Sequence, residues 1–139
     1  MAPLDGRGLM LIIRKTQMDA LGAGMLASFQ DRMIAHLRTL FPARTAGWGA
    51  TSGRGFVLGA TAKARTHHVN AERDVARFID LMAELGDDFE TRPDLAWAAE
   101  ILANPDSSGT AKMDAIYREL GTRIPSAARL PAAWPEEEA

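Results

Sequence analysis

Apolar residues along this chain recur every three or four positions, which is the spacing of one face of an α-helix. The longest such series begins after Thr16, a candidate N-cap, and ends before Pro42, which cannot continue a helix. We expect this first helix to be the spine of the fold, with Phe29 and Met33 buried. Its apolar stripe consists of Met18, Leu21, Met25, Phe29, Met33, Leu37 and Leu40.

Four shorter helices are predicted to follow the first along the chain. The helix before Gly86 has the most regular apolar period, and we expect Asn70 to be its N-cap and Gly86 to lie just past its end. The last helix is predicted to start at a Ser/Thr cap region and to end at a glycine. The predicted ranges are 55–68, 71–85, 93–102 and 107–121.

These elements predict an all-α fold, a bundle of about five helices with a long first helix. Residues 1–121 are predicted to form a single helical domain. Residues 122–139 are rich in Pro and Ala and show no period, so we expect an irregular C-terminal tail, and we expect residues 126–139 to be dispensable for folding.

Residues 43–54 are rich in Gly, Thr and Ser and are predicted to form a loop around Trp48. A tryptophan in such a loop either pins the loop to the core or stands exposed as an anchor for a partner. The sequence leaves both interpretations of Trp48 open.

Composition excludes several classes of protein. The chain has 139 residues and no cysteine, which excludes disulfides, thiolate zinc sites and a cysteine nucleophile. No apolar run approaches the roughly 20 residues that a membrane helix needs. Residues 9–13 are too short for the apolar core of a signal peptide. We therefore expect a cytoplasmic protein, or one exported by a route that leaves no signal, and we expect no association with membranes.

Charge is distributed unevenly along the chain. Residues 1–70 carry nine Lys/Arg and three Asp/Glu, whereas residues 71–139 carry seven and fifteen. Either the two halves neutralise each other within the fold, or opposite surface patches steer a charged partner. The candidate partner-binding residues are the cations Arg32 and Arg38, the anions Asp87, Asp88 and Glu90, and the aromatic residues Trp48 and Trp134. The basic residues form no run, and aromatic residues are few, so nucleic acid is not a predicted partner.

No arrangement of residues points to catalysis. His67 and His68 are adjacent, so their side chains diverge on a helix, and His36 stands alone at the edge of an apolar stripe. The glycine-rich residues 47–55 lack the Gly-Lys-Ser/Thr ending of a phosphate-binding loop. The charged residues of the predicted helix 71–85 have the spacing of ordinary surface electrostatics. We therefore predict that the protein is not an enzyme and holds no metal and no cofactor.

Two stretches of the chain carry a family resemblance. The first is residues 13–21, followed by Phe29, His36-Leu37 and Phe41-Pro42; the second comprises residues 71–75, 78–82, Leu85-Gly86, Asp88-Phe89, Trp97 and Ile101-Leu102. Together they resemble a group of small bacterial proteins encoded near type VI secretion and polymorphic-toxin genes, beside spike-tip and effector proteins. The resemblance covers residues 9–120. It implies an accessory role in effector loading, chaperoning or immunity, and it implies no catalytic residue.

The expected function is that of a non-enzymatic helical protein-interaction module. We expect an accessory or adaptor protein for a type VI secretion effector or spike component, with another protein as its partner. Two alternatives stay open: an immunity protein that binds and neutralises a cognate toxin, and a small ligand-binding domain.

Overall fold

The computed structural model describes residues 27–131, which form helices joined by short connections and contain no β-strand. The all-α prediction is therefore confirmed. The described part of α1 covers residues 27–40, and its predicted start at Thr16 lies outside the described residues, as does Trp134. The other α-helices are α2 (Pro42–Thr45), α3 (Ser52–Thr66), α4 (Glu72–Leu85), α5 (Ala96–Ala103) and α6 (Gly109–Arg123). Short 3₁₀ turns cover Phe89–Thr91, Pro93–Leu95 and Pro125–Arg129.

The helix ends agree with local chemistry in most places. Phe41 leaves the helical region, with φ −129° and ψ 63°, so α1 ends before Pro42 as predicted. The Ser108 Oγ accepts a hydrogen bond from the backbone N–H of Ala111 at 3.1 Å, which confirms a cap at the start of α6. The prediction for Asn70 is wrong, because the N-cap of α4 is Ala71 and no side chain caps it.

The segment between α1 and α3 is more helical than its composition predicts. Residues 43–54 were expected to be a loop, yet α2 occupies the start of this segment and α3 already begins at Ser52. Pro42 stands in the first turn of α2. Backbone N–H groups in a first turn have no acceptor within the helix, so proline breaks no helical hydrogen bond there. The true loop is therefore confined to a few residues around Trp48.

α4, rather than α1, is the spine of the described fold. Residues 74–82 are buried without interruption, so neighbouring elements cover this helix on every side. α4 packs against α3, α6 and the first 3₁₀ turn. Within residues 74–82, only Asp74, Arg77 and Asp80 are polar, a stripe too narrow for a helix that lies on a surface.

The core forms one cluster around α4. Phe29 and Met33 are buried, at 4% and 0% exposure, as predicted. The rings of Phe78 and Phe89 lie 5.5 Å apart, so the turn after α4 belongs to the core. Ala127 and Leu130 are also buried, so the described start of the predicted tail packs into the core. The 3₁₀ turn Pro125–Arg129 packs against α6.

Candidate interaction surface

A buried polar network joins α4 to α6. The Arg77 guanidinium donates to Asp74 at 3.1 Å and to Asp114 at 2.7 Å, and it lies over the Tyr117 ring. Thr110 donates to the second oxygen of Asp74 at 2.5 Å, and the Tyr117 hydroxyl donates to the Arg77 carbonyl at 2.7 Å. Burial, together with the charge of the nearby Asp80, raises the pKa of Tyr117 well above its usual value. These groups bind one another and hold the two helices together.

His36 and Asp80 form a second tie, between α1 and α4. The His36 Nε2 lies 2.9 Å from both carboxylate oxygens of Asp80, a residue that is 1% exposed. Burial raises the pKa of the Asp80 carboxyl, although contact with His36 acts in the opposite direction. The interpretation of these α4 charges as surface electrostatics is therefore wrong for Asp74, Arg77 and Asp80. The apolar neighbours of Arg77 and Asp80 in the sequence are the signal that could have shown their burial, whereas Asp74 follows Glu72 and Arg73 and carries no such signal.

A buried lysine from α6 caps the C-terminal end of α3. Lys112 is 2% exposed, and its Nζ donates to the His67 carbonyl at 2.9 Å. A cation at this end also suits the negative pole of the helix. Burial lowers the pKa of His67, whose ring packs against Phe78. The lysine thus serves the fold.

The predicted charged candidates pair with one another within the chain. Arg32 and the anions Asp87, Asp88 and Glu90 each lie in an ion pair that joins the first half of the sequence to the second. The pairs are Arg32–Glu72 (2.6 Å), Arg44–Asp87, Lys63–Asp88 (2.8 Å) and Lys63–Glu90 (2.9 Å). Burial disfavours the Lys63 ammonium, but its two carboxylate partners together raise its pKa. This arrangement favours neutralisation within the fold over steering of a partner.

The other predicted site residues lie apart from these pairs. Arg38 is exposed on α1, and no ion pair within the described residues involves it. Trp48 is half-buried: its ring lies 5.5 Å from that of Phe56, and a Cβ built on Gly53 would lie 3.0 Å from the indole. The contacts of Trp48 are those of a loop anchor. The structure thus brings Asp88 and Glu90 together at Lys63 but does not gather the six candidates within residues 27–131 into one site.

The outer face of α3 presents the most conspicuous apolar side chain of the described surface. Leu58, at 48% exposure, is the exposed large hydrophobic residue of residues 27–131. Gly55, Gly59 and Ala62 lie beside it on the helix and are exposed too. A Cβ built on either glycine would meet no atom within 4 Å. Sequence analysis missed this face because only the structure shows which side of the small-residue helix faces solvent.

Other kinds of site find little support in the described residues. Between residues 27 and 131, no group of three or more His, Asp or Glu side chains is placed to hold a metal ion. No helix in this range is both long and apolar enough to cross a membrane. Comparisons of the chain with protein-family models, with curated proteins and with solved structures found no match.

Proposed function

We propose that this chain is a helical protein-interaction domain, an adaptor for a type VI secretion effector or spike component, which binds through the outer face of α3. The outer face is defined as Arg54, Gly55, Leu58, Gly59, Ala62 and Arg65. The observation that carries the proposal is the exposure of Leu58 at the centre of this face. The secretion context rests on the sequence resemblance.

The two glycines of the outer face support a role beyond folding. Glycine within a helix is less stable than alanine by roughly 0.5–1 kcal/mol. Neither Gly55 nor Gly59 is required by packing inside the chain, since both have open space where a Cβ would stand. A partner that approaches the α3 backbone closely would account for both.

The buried polar groups support binding over catalysis. Asp74, Arg77 and Asp80 are buried within α4, and each makes contacts that join α4 to another element. Lys112 is likewise committed to the end of α3. These groups are engaged in contacts within the fold, whereas Leu58 is exposed, and the outer face of α3 around it is the surface that we assign to a partner.

The test is co-purification of the full chain with the proteins encoded by the genes next to its own. Ala62→Glu places a charge on the outer face, and Ala35→Glu makes the same change at an exposed helical position on α1. We expect the unmodified chain and Ala35→Glu to retain an effector or spike protein and Ala62→Glu to lose it. Equal retention by both variants contradicts the proposal. Retention of a toxin whose activity is thereby lost identifies an immunity protein instead.

A further inference from the structure

We infer that the connection between α3 and α4 is an acid-sensitive switch, in which a proton on the His67 ring releases the end of α3 from α4 and α6. The junction is defined as residues 67–71, which join the two helices. The inference does not rest on the proposed function, because every group that carries it lies within the fold. Its support is the packing of the His67 ring, the charges around that ring and the strained backbone beside it.

The His67 ring is partly buried where α4, α6 and the first 3₁₀ turn meet the end of α3. From α4 it meets Phe78, whose ring centroid lies 5.9 Å from that of His67. Phe78 packs in turn against Phe89 of the 3₁₀ turn, at 5.5 Å. The imidazole therefore continues a row of aromatic side chains that ends in the core, and this position suits an uncharged ring.

The charged groups around His67 are mostly cations. The Lys112 Nζ, from α6, donates to the His67 carbonyl at 2.9 Å, Lys63 lies one turn earlier on α3, and His68 follows in the chain. Glu90 is the acidic neighbour, and Lys63 already pairs with one of its carboxylate oxygens at 2.9 Å. Burial and these cations lower the pKa of His67, although Glu90 acts in the opposite direction. A proton on the ring thus adds positive charge beside two ammonium groups.

The backbone beside His67 is strained in the closed junction. His68 has a φ of +63°, in the left-handed region, where an L residue pays a steric cost. α6 lies against the same residue, since a Cβ built on Gly109 would stand 2.6 Å from the His68 carbonyl oxygen. The amide N–H of Val69 donates to the Ala64 carbonyl at 3.0 Å, across the end of α3. Once the ring leaves its contact, this strain favours opening, and the Val69 amide then meets water.

The sign of the switch follows from where the proton binds. In the open junction the ring is solvated and titrates near its usual 6.5, whereas in the closed junction its pKa lies lower. The unprotonated ring therefore stabilises the closed junction above pH 6.5, and this stability is lost as pH falls from 6.5 through the pKa of the closed state. One proton changes the opening equilibrium by at most about tenfold for each pH unit. Opening also frees the last turn of α3, which carries Arg65 of the outer face.

The test is hydrogen exchange of single amides in the full chain, followed by NMR between about pH 7 and 5 and corrected for the intrinsic exchange rate at each pH. We expect the protection of the Val69 amide to fall by about threefold or more over this range, and that of the Leu81 amide, in the buried part of α4, to fall less. His67→Gln cannot titrate and should remove the pH dependence at Val69. His68→Asn is the matched control: it removes the exposed neighbouring histidine, keeps a residue that tolerates the left-handed region, and should retain the pH dependence.

Three results would overturn the inference. Protection at Val69 that stays constant across this pH range shows that no switch exists. An equal fall at Val69 in His67→Gln and in the unmodified chain assigns the pH dependence to another group. Equal falls at Val69 and Leu81 show that the fold loosens as a whole. If His67→Gln does not fold, His67→Phe takes its place, since it keeps a ring against Phe78 and cannot titrate. The outer face of α3 is tested separately, by co-purification.

Discussion

The buried carboxyl of Asp80 contributes to the pH dependence of this fold. Because burial raises its pKa above the usual 3.8, the folded chain holds this proton to higher pH than the unfolded chain does. The protonated carboxyl therefore adds to the free energy of unfolding below pH 3.8. This added stability is lost as pH rises from 3.8 through the pKa of the folded chain. Asn at position 80 cannot ionise, so the free energy of unfolding of Asp80→Asn does not decrease for this reason as pH rises.

We predict that the stability of Asp80→Asn relative to the unmodified chain improves as pH rises from about 4 to 7. Urea unfolding at several pH values measures the difference, and Asp106→Asn, at an exposed position, is the control. A relative stability that falls over this range would show that the contact with His36 outweighs burial.

His68 adopts a backbone conformation that favours glycine. Its φ is +63°, in the left-handed region, directly after the end of α3. We predict that His68→Gly stabilises the fold by about 0.5–1 kcal/mol, because an L residue pays a steric cost there. Denaturant unfolding measures it, with Asn70→Gly in the same connection as the control, since Asn70 has no positive φ. If His68→Gly and Asn70→Gly change the free energy of unfolding by the same amount, the backbone at position 68 is not strained.

At the scale of elements, the sequence predicted those helices whose apolar residues recur at a regular spacing. The stripe of α4 and the N-terminal cap of α6 were visible in the residues, and both helices lie close to their expected ranges. The predicted end of α6 at Gly121 is wrong, because the helix continues to Arg123. α2 has four residues, too few for any period, and the 3₁₀ turns were missed for the same reason. The docking of residues 125–130 depends on contacts with distant residues, which no local pattern records.

The segment after α6 is held by contacts to two helices. Arg129 donates to the Leu40 carbonyl at 3.0 Å, pairs with Glu84 at 2.9 Å and lies over the Phe41 ring. Next to it, Leu130 is 6% exposed. This element therefore closes the end of the bundle where α1 stops.

We predict that Leu130→Ala lowers the free energy of unfolding by about 2–4 kcal/mol, through lost burial and the cavity left behind. Chemical denaturation checks the value. Ala128→Ser changes an exposed neighbour in the same turn and should stay within about 0.5 kcal/mol. An effect of Leu130→Ala no larger than that of the control would place residue 130 outside the core.

At the scale of the whole molecule, several charges of the two halves of the sequence pair with one another within residues 27–131. The counts alone could not distinguish internal neutralisation from a surface for a partner, because both need the same charges. The contacts of Lys63 favour internal neutralisation, because this residue of α3 pairs with Asp88 and Glu90, which follow α4. The outer face of α3 could not be predicted from the sequence either, because a leucine at position 58 is equally compatible with a place in the core.

We predict that Lys63→Glu destabilises the fold by about 1–3 kcal/mol, because the Glu90 side chain is 13% exposed and would lose its partner. Adding Glu90→Lys to Lys63→Glu should restore part of the loss. Thermal and urea unfolding of the single and double variants give the coupling between the two residues. Additive effects would show that the pair contributes nothing to the fold.

The central claim, that a partner covers the outer face of α3, has a direct test because the chain contains no cysteine. Leu58→Cys introduces a single thiol on this face, and Ala35→Cys introduces one on the exposed side of α1. The rate of maleimide alkylation is measured for each variant with and without a saturating amount of the retained neighbour-encoded protein. The account predicts that the partner slows alkylation at position 58 by about tenfold or more and leaves position 35 unchanged. Alkylation at position 58 that stays fast in the complex would contradict it.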